Sequence, residues 1–195
     1  MPKKGPVKAE GARRRGPKPR PPEEEGSQPL AVQATAAPQA AKPFPVVGIG
    51  ASAGGLEAFT LLLRRLPADT GMAFVLVQHL DPKHESMLAA LLAKTSAMPL
   101  AEVKDGMAVQ PNHVYVIPPN ADMVITDGVL RLTPRSTTRG LHMPIDHFLR
   151  SLAEEKKSRA IGVILSGSSS DGALGLAAIK AEGGITFAQD EESAK

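Results

Sequence analysis

Residues 46–55 read Val46-Val47-Gly48-Ile49-Gly50-Ala51-Ser52-Ala53-Gly54-Gly55, and this stretch indicates both the class of fold and a candidate nucleophile. An apolar, β-branched run enters a turn made almost wholly of small residues, and an amphipathic helical pattern begins directly after it. This order predicts a buried strand, a sharp turn and a helix, which lifts Ser52 out of the sheet with its hydroxyl exposed. Residues 50–54 also fit the G-x-S-x-G pattern of a nucleophile elbow. The stretch therefore raises the question whether the chain supplies a base and an acid for this serine.

The composition excludes several classes of site. The chain has 195 residues and no cysteine, which excludes disulfides, thiolate zinc sites and cysteine nucleophiles. It has no apolar run of about 18 residues, so we expect no membrane insertion and a cytoplasmic protein. Only five Phe and one Tyr are present, and the core must therefore be built mainly from aliphatic side chains.

The net charge of +3 is unevenly distributed along the chain. Residues 1–42 contain nine Lys or Arg and four Glu, which gives +5, whereas residues 43–195 contain fourteen basic and sixteen acidic residues, which gives −2. We therefore expect no nucleic-acid binding by this mildly acidic part. Residues 1–42 also hold eight prolines and almost no large apolar side chains. They are predicted to form a disordered, basic Pro/Ala-rich tail ahead of one folded domain at 43–195.

From residue 43 onward, apolar runs alternate with amphipathic segments. The pattern predicts strands at 45–50, 73–77, 99–103, 113–117, 160–165 and 185–188, and helices at 56–66, 84–94, 144–156 and 172–182. The helix at 84–94 is expected to bury Met87, Leu88, Leu91 and Leu92. The helix at 56–66 is expected to carry its apolar side chains on one face, namely Leu56, Phe59, Leu62, Leu63 and Leu66. Residues 122–132 flank the dipeptide Asp127-Gly128 and predict an antiparallel hairpin. Together these elements predict an α/β fold, a three-layer αβα sandwich around a doubly wound, mostly parallel sheet with the hairpin as an insertion.

In such a sheet, functional groups cluster beyond the carboxyl ends of the strands. The second predicted strand leads to His79, at the same edge as Ser52, and histidine is the usual base for a serine hydroxyl. The strand at 160–165 leads into a Gly/Ser-rich turn whose only acid is Asp171. The candidate catalytic residues are thus Ser52, His79 and Asp171, with backbone N–H groups of the two turns as candidate oxyanion donors.

Two alternatives stay open on these residues alone. Asp171 falls at or just before a helix start, where it could serve only as the N-cap, although that role does not exclude catalysis. Residues 48–53 also fit the G-x-G-x-x-G/A fingerprint of a Rossmann-type dinucleotide-binding domain. That fingerprint requires an acid at the end of the second strand to bind ribose, and this chain has Gln78-His79 there. Dinucleotide binding is therefore the less favoured hypothesis.

The remaining histidines predict no metal site. His113 opens a predicted strand and His147 lies within an amphipathic helix, so both are expected to be structural or exposed. His84 lies near a helix start and is expected to be exposed, whereas His142 lies in a loop. No pair has metal-ligand spacing and no H-E-x-x-H motif is present, so we predict no metal.

Taken in order, these motifs resemble those of the CheB-type protein-glutamate methylesterases of bacterial chemotaxis. The resemblance runs from Val46 to the end of the chain. It is carried by residues 48–55, by Val77-Gln78-His79, by Pro118-Pro119-Asn120 and by Ser166-Gly167 together with Asp171-Gly172. The segments are closest to the form found in methylesterase–methyltransferase fusion proteins.

The resemblance implies that Ser52 is the nucleophile, His79 the base and Asp171 the orienting carboxylate, with no cofactor. The implied reaction is hydrolysis of glutamate γ-methyl esters on methyl-accepting chemoreceptors, which releases methanol, and many members also deamidate receptor glutamines. A methyltransferase is implied as a partner or fused domain. The alternative is a degenerate, non-catalytic module that binds receptors or a methyltransferase.

Three departures from the family pattern accompany the resemblance. Members regulated by phosphorylation carry a receiver domain ahead of the esterase, and residues 1–42 are too short to provide one. Ser169 stands where the loop before the acid usually has its second glycine, a substitution expected to strain the loop if that position needs a positive φ. Family members continue past the position of Lys195 with at least another helix and strand, so we expect a domain that is incomplete at its C-terminus.

Overall fold

The computed structural model describes residues 43–52, 54–79, 87–135, 142–165, 170–190 and 192–194. The predicted disordered tail at 1–42, the exposed position of His84 and the strain at Ser169 lie outside these residues. Within them the chain forms nine strands and four α-helices in nearly regular alternation. In chain order they are β1 (Val46–Ala51), α1 (Gly55–Leu63), β2 (Ala73–Gln78), α2 (Leu88–Ala93), β3 (Leu100–Glu102), β4 (Met107–Ala108), β5 (Val114–Val116), β6 (Ala121–Thr126), β7 (Val129–Pro134), α3 (Pro144–Lys156), β8 (Ala160–Ile164), α4 (Ala173–Ala181) and β9 (Ile185–Ala188).

Six strands form one sheet in the order β3-β5-β2-β1-β8-β9, and every neighbouring pair is parallel. β1 lies in the middle, with β2 and β8 on either side. In register, Gly50 of β1 pairs with Val77 of β2 and with Ile164 of β8. The segments that follow these three strands therefore leave the sheet side by side at one edge.

Helices cover both faces of this sheet, as the alternation predicted. On one face, α1 and α2 bury Phe59, Leu63, Leu88 and Leu92 against β1, β2 and β5. On the other face, α3 packs with α4 and the smaller sheet over β1, β2 and β8. The α3 side chains Phe148, Leu149 and Leu152 are fully buried there. The three-layer, mostly parallel α/β fold is confirmed.

Glycines let α3 approach the sheet and α4 closely. A Cβ atom on Gly50 would lie 2.3 Å from Ile145 Cγ2, and one on Gly48 would lie 2.6 Å from Leu149 Cδ2. Gly175 of α4 faces the same helix, since its Cβ would lie 2.5 Å from Leu149 Cβ. The glycines of β1 thus make room for α3 side chains, which accounts for the spacing that resembled a dinucleotide fingerprint.

The predicted hairpin is present as part of a second sheet of order β4-β7-β6. Its turn has Asp127 at φ 52° and Gly128 at φ 73°, the two positive φ values of a type I′ turn. Glu155 of α3 accepts hydrogen bonds from both turn amides, at 3.1 Å and 2.9 Å. The two-residue strand β4 was not predicted.

Two predictions about side chains are wrong. Leu56, expected on the same face of α1 as the buried Phe59 and Leu63, is 41% exposed, because it lies in the first turn at the edge of the sheet. Leu88 and Leu92 of α2 are buried, but Met87 is 68% exposed and Leu91 42% exposed. The described part of this helix begins only at Leu88. So short a helix places only a narrow row of side chains against the sheet. Leu88 and Leu92, four residues apart, occupy that row, and Leu91 lies beside it.

β9 forms one edge of the main sheet, and Ile185 and Phe187 are more than half exposed there. They line an apolar groove of about 420 Å³ together with sheet residues that include Ile161 and Val163. Whether the domain is incomplete stays a prediction. None of the helices in the described ranges is long and apolar enough to cross a membrane.

Candidate active site

Ser52 lies at the tip of the turn between β1 and α1, half-buried at the carboxyl edge of the sheet. The Gly55 N–H donates to the Ser52 carbonyl oxygen at 3.0 Å and closes the turn. Gly54 has φ 80° and ψ −1°, a left-handed conformation that glycine adopts without a steric penalty. The small residues of this stretch therefore allow the chain to reverse within four residues and present the serine.

His79 follows β2 and contacts the predicted acid directly. Its Nε2 atom lies 2.6 Å from Asp171 Oδ2. The side chain of His79 is 34% exposed, whereas that of Asp171 is fully buried. The pair thus combines an imidazole open to a ligand with a carboxylate shielded from water, where a hydrogen bond is strengthened by the low local dielectric.

Asp171 is held in place by the N-terminus of α3. The Ile145 N–H donates to Asp171 Oδ2 at 3.0 Å, and the Asp146 N–H donates to Oδ1 at 2.8 Å. These are the orphan amides of a helix first turn, and the positive end of the helix dipole favours a carboxylate there. Both carboxylate oxygens therefore accept hydrogen bonds while one of them also meets His79.

The sequence left open whether Asp171 caps the helix that follows it. Asp171 does act as a cap, but for α3, which begins 27 residues before it. The first turn of α4 is served instead by Asp146, whose Oδ1 accepts from the Gly172 N–H at 3.0 Å and the Gly175 N–H at 2.7 Å. Sequence reasoning missed Asp146, because an acid in the first turn of a helix is an ordinary feature of helix N-termini.

A cleft of about 990 Å³ joins Ser52 and His79. One side is formed by the outer face of α1, where Leu56 is 41% and Leu61 59% exposed. The lining residues are Ser52, Gly54, Gly55, Leu56, Glu57, Thr60, Leu61, Arg64, Gln78 and His79. A groove with an apolar wall beside a serine and a histidine can hold a ligand next to both side chains.

The side chain of Gln78, at the end of β2, contacts the turn that carries Ser52. Its Nε2 donates to the Ser52 carbonyl oxygen at 3.4 Å, and a Cβ on Gly55 would lie 3.0 Å from its side-chain amide. The residue that stands where a dinucleotide-binding domain would place its ribose-binding acid is thus part of the serine's support.

Comparison with known proteins shows the family of the chain. Residues 47–195 match the family model described as CheB methylesterase. The chain belongs to the CheB methylesterase family. A protein-glutamate methylesterase/protein-glutamine glutaminase 2 of Burkholderia pseudomallei (strain 1710b) is 43% identical over 166 residues, which is 84% of this chain and 48% of that protein. A relative of the same name from Pseudomonas syringae pv. syringae (strain B728a) is 36% identical over 149 residues, 76% of this chain and 44% of the relative.

A solved CheB structure has the same fold. The crystal structure of the Thermotoga maritima CheB methylesterase catalytic domain matches with a TM-score of 0.69 and 32% identity, covering 77% of this chain and 82% of that one. The chain spans about half the length of the curated CheB relatives it matches.

The other described histidines lie outside the cleft of this CheB-family domain. His113 Nδ1 lies 2.9 Å from the Pro111 carbonyl oxygen and its ring stacks on Tyr115, while His147 is exposed on α3. His142 Nε2 lies 2.6 Å from Asp122 Oδ1 and ties the segment before α3 to β6, a pair that the sequence did not predict. Among the residues described, no group of three or more His, Asp or Glu side chains is placed to hold a metal ion.

Proposed function

We propose that this chain hydrolyses γ-methyl esters of glutamate side chains on methyl-accepting chemoreceptors and releases methanol. Ser52 is the nucleophile, His79 the general base and Asp171 the residue that orients His79. The observation that carries the proposal is the 2.6 Å contact between His79 and a fully buried Asp171, in the cleft that Ser52 lines. Membership of the CheB methylesterase family supports the choice of ester.

The orientation of His79 assigns its two ring nitrogens. Because Nε2 meets Asp171, Nδ1 is the nitrogen left to take the proton from Ser52. In the serine protease triad, Nδ1 faces the aspartate and Nε2 faces the serine. No hydrogen bond joins Ser52 to His79 within the described residues. Catalytic hydrogen bonds often form or tighten only in the Michaelis complex, and we expect the Ser52 hydroxyl to meet Nδ1 when the substrate is bound.

The reaction proceeds in two acyl-transfer steps. The Ser52 oxygen attacks the ester carbonyl carbon while His79 takes the serine proton, and the tetrahedral intermediate collapses to an acyl-enzyme as His79 protonates the departing methoxide. Water then attacks the acyl carbon while His79 takes one of its protons. The second tetrahedral intermediate collapses as His79 returns that proton to the departing Ser52 oxygen, which frees the receptor glutamate as a carboxylic acid and regenerates the enzyme. Asp171 holds the imidazole throughout and compensates its positive charge.

The oxyanion is held by backbone amides of the serine turn. The Gly54 N–H is bonded to no acceptor among the described residues, and it lies two residues after Ser52 at the rim of the cleft. A preorganised amide of this kind stabilises the developing charge by about 3 kcal/mol when it is well aimed. Gly54 is therefore assigned as one oxyanion donor.

The same site is suited to glutamine deamidation, since the relatives are named as glutaminases as well as methylesterases. An amide carbonyl is attacked in the same way, and His79 then protonates the departing amide nitrogen, which leaves as ammonia, where the ester loses methoxide as methanol. We also propose that the protein is located in the cytoplasm and that a methyltransferase is one of its partners.

The test uses receptor membranes whose methylated glutamates carry a labelled methyl group. We expect the chain to release labelled methanol, and mass spectrometry of receptor peptides to locate free glutamate at the formerly methylated positions. Membranes incubated without the chain provide the background. Methanol release at background level, from a chain shown to be folded, would rule out the esterase and favour a non-catalytic receptor-binding module.

A further inference from the structure

We propose that Asp146 is a positioning residue for the His79–Asp171 pair, an inference that rests on the proposed function. Its role is to occupy the N-terminus of α4, so that Asp171 stays on α3 and faces His79. Among the described residues, Asp146 makes no hydrogen bond to His79 and is not one of those that line the cleft, so its action is expected to pass through Asp171.

Each of the two carboxylates binds the N-terminus of the helix that is farther from it in sequence. Asp171 lies next to the first turn of α4 but accepts from the second and third residues of α3. Asp146 lies in the first turn of α3 but accepts from Gly172 and Gly175 at the start of α4. All four bonds are 2.7–3.0 Å long and buried. Each helix thus receives its N-terminal oxygen ligand from the other.

The residues at the N-cap positions of α3 and α4 do not cap these helices with their own side chains. Met143 precedes α3 and Gly172 precedes α4, and neither makes a side-chain capping bond. An oxygen acceptor is strongly favoured at such an N-terminus. Without the Asp146 carboxylate, the nearest acid in the chain to the free amides of α4 is Asp171. A carboxylate that swings to cap its own helix leaves both α3 and His79.

The capping role does not require the negative charge of an aspartate at position 146. Only 6% of Asp146 is exposed, and within the described residues its Oδ2 atom is buried without a hydrogen-bond partner. An unpaired buried carboxylate oxygen is unfavourable, and asparagine caps helices about as well. What the structure requires at this position is one oxygen at the Oδ1 site, fixed on α3 and directed at α4.

The experiment compares Asp146→Ala, which removes both bonds, with Asp146→Asn, which keeps an oxygen at the Oδ1 site. We expect Asp146→Ala to lower kcat for methanol release about 10- to 100-fold at nearly unchanged KM, as is typical for the loss of an outer orienting partner. Asp146→Asn should restore kcat to within about threefold of wild type. Equal loss in both variants contradicts the proposal.

Glu155→Ala is the matched control. Glu155 lies at the other end of α3 and also accepts two backbone hydrogen bonds, from the hairpin turn. This variant should lose a similar amount of thermal stability while kcat stays at the wild-type value. If Asp146→Ala and Glu155→Ala change kcat to the same extent, Asp146 is merely structural.

A double-mutant cycle separates action through the pair from general damage. In the His79→Ala background the imidazole is absent, so Asp146→Ala should reduce the residual rate no further. The same fold loss in both backgrounds contradicts the proposal. If Asp146→Ala does not fold, Asp146→Ser, which shortens the acceptor by one atom, takes its place with an intermediate loss expected.

Proton NMR tests the positioning role of Asp146 independently of catalytic activity. The ring N–H of His79 that donates to Asp171 should give a low-field proton resonance, assigned by its absence in His79→Ala. We expect this resonance in wild type, Asp146→Asn and Glu155→Ala, and its loss or large upfield shift in Asp146→Ala. Its persistence in Asp146→Ala overturns the positioning role, whereas absent methanol release from wild type with the expected spectra overturns only the esterase function.

Discussion

The Asp171 carboxylate makes three contacts at once, with His79 and with two amides of α3. An asparagine can satisfy these contacts only in part, because its amide nitrogen donates where the aspartate accepts. It also favours the wrong imidazole tautomer, since an amide N–H facing the ring displaces the ring proton. The catalytic role and the capping role of this residue can therefore be separated by one substitution.

We expect Asp171→Asn to lower kcat by on the order of 10³- to 10⁴-fold, the size of effect seen when the orienting acid of a serine triad is neutralised. Stability should fall by only about 1–2 kcal/mol through the mismatched α3 amides. Methanol release and chemical denaturation measure the two quantities. As a control, Asp105→Asn changes an acid that accepts from the Leu132 N–H and is not among the residues that line the cleft, and it should leave kcat unchanged. Retained activity in Asp171→Asn would eliminate the triad assignment.

The positions of the candidate residues could be predicted at this scale because parallel strands end at one edge. A continuous apolar run precedes each of Ser52, His79 and Asp171. Parallel strands end at the same edge of a sheet, so these residues lie at that edge whatever the lengths of the loops between the strands. The role of Asp146 could not be predicted, since its bonds reach residues 26 and 29 positions away. No local pattern encodes which of two adjacent helix N-termini an acid will serve.

Among the secondary-structure elements, α1 forms the wall of the cleft. Its inner face is buried through Phe59 and Leu63, and its outer face presents Leu56 and Leu61 to solvent beside Ser52. Leu61 is 59% exposed, so its side chain contributes little burial to the free energy of folding. A bound substrate can bury it, and that burial then favours binding. The outer face of α1 is therefore expected to contribute to substrate binding rather than to the chemical step.

Leu61→Asp should raise KM about 3- to 10-fold with little change in kcat, because the lost contact is made equally in the ground state and the transition state. Steady-state methanol release at varied receptor concentration measures both constants. Leu174→Asp is the matched control, since Leu174 is 65% exposed on α4 and does not line the cleft. Equal effects of the two substitutions would exclude α1 as a binding surface.

Elements with strong local signals were predictable and weak ones were not. Residues 144–156 carry a helical period bounded by a proline at the first position, and α3 has these bounds. The Asp127-Gly128 dipeptide fixes the hairpin because both residues accept positive φ. β4 has only two residues and exists through pairing with β7, so its formation depends on tertiary contacts that no sequence window contains.

At the scale of the whole molecule, Tyr115 connects the two sheets. It lies in β5 of the main sheet, and its hydroxyl accepts from the Gln110 N–H at 2.9 Å and donates to the Ala108 carbonyl of β4 at 3.3 Å. Burial raises the pKa of Tyr115 above its ordinary value, although the Gln110 hydrogen bond opposes this. The folded state thus holds the phenolic proton more tightly than the unfolded chain does.

This shift predicts a loss of stability at alkaline pH. The contribution of Tyr115 is fully present below about pH 10, its value in unfolded chains, and is lost as the pH rises through the higher folded-state pKa. The chain has one Tyr and no Trp, so tyrosinate absorbance reports this group alone. We expect its titration midpoint to lie higher in the folded chain than in denaturant. Tyr115→Phe should be less stable at neutral pH by about 1–2 kcal/mol and lose less stability across this window. Coincident titration midpoints would contradict the prediction.

Ser52 is the proposed nucleophile, and two serine substitutions compared in the methanol-release measurement test this role. Ser52→Ala removes one oxygen from the tip of the turn, and Ser158→Ala removes one from an exposed position just before β8, at the opposite edge of the sheet. With all three proteins equally folded, we predict that wild type and Ser158→Ala release methanol at the same rate and that Ser52→Ala falls to background. Release by Ser52→Ala at the wild-type rate would contradict the account.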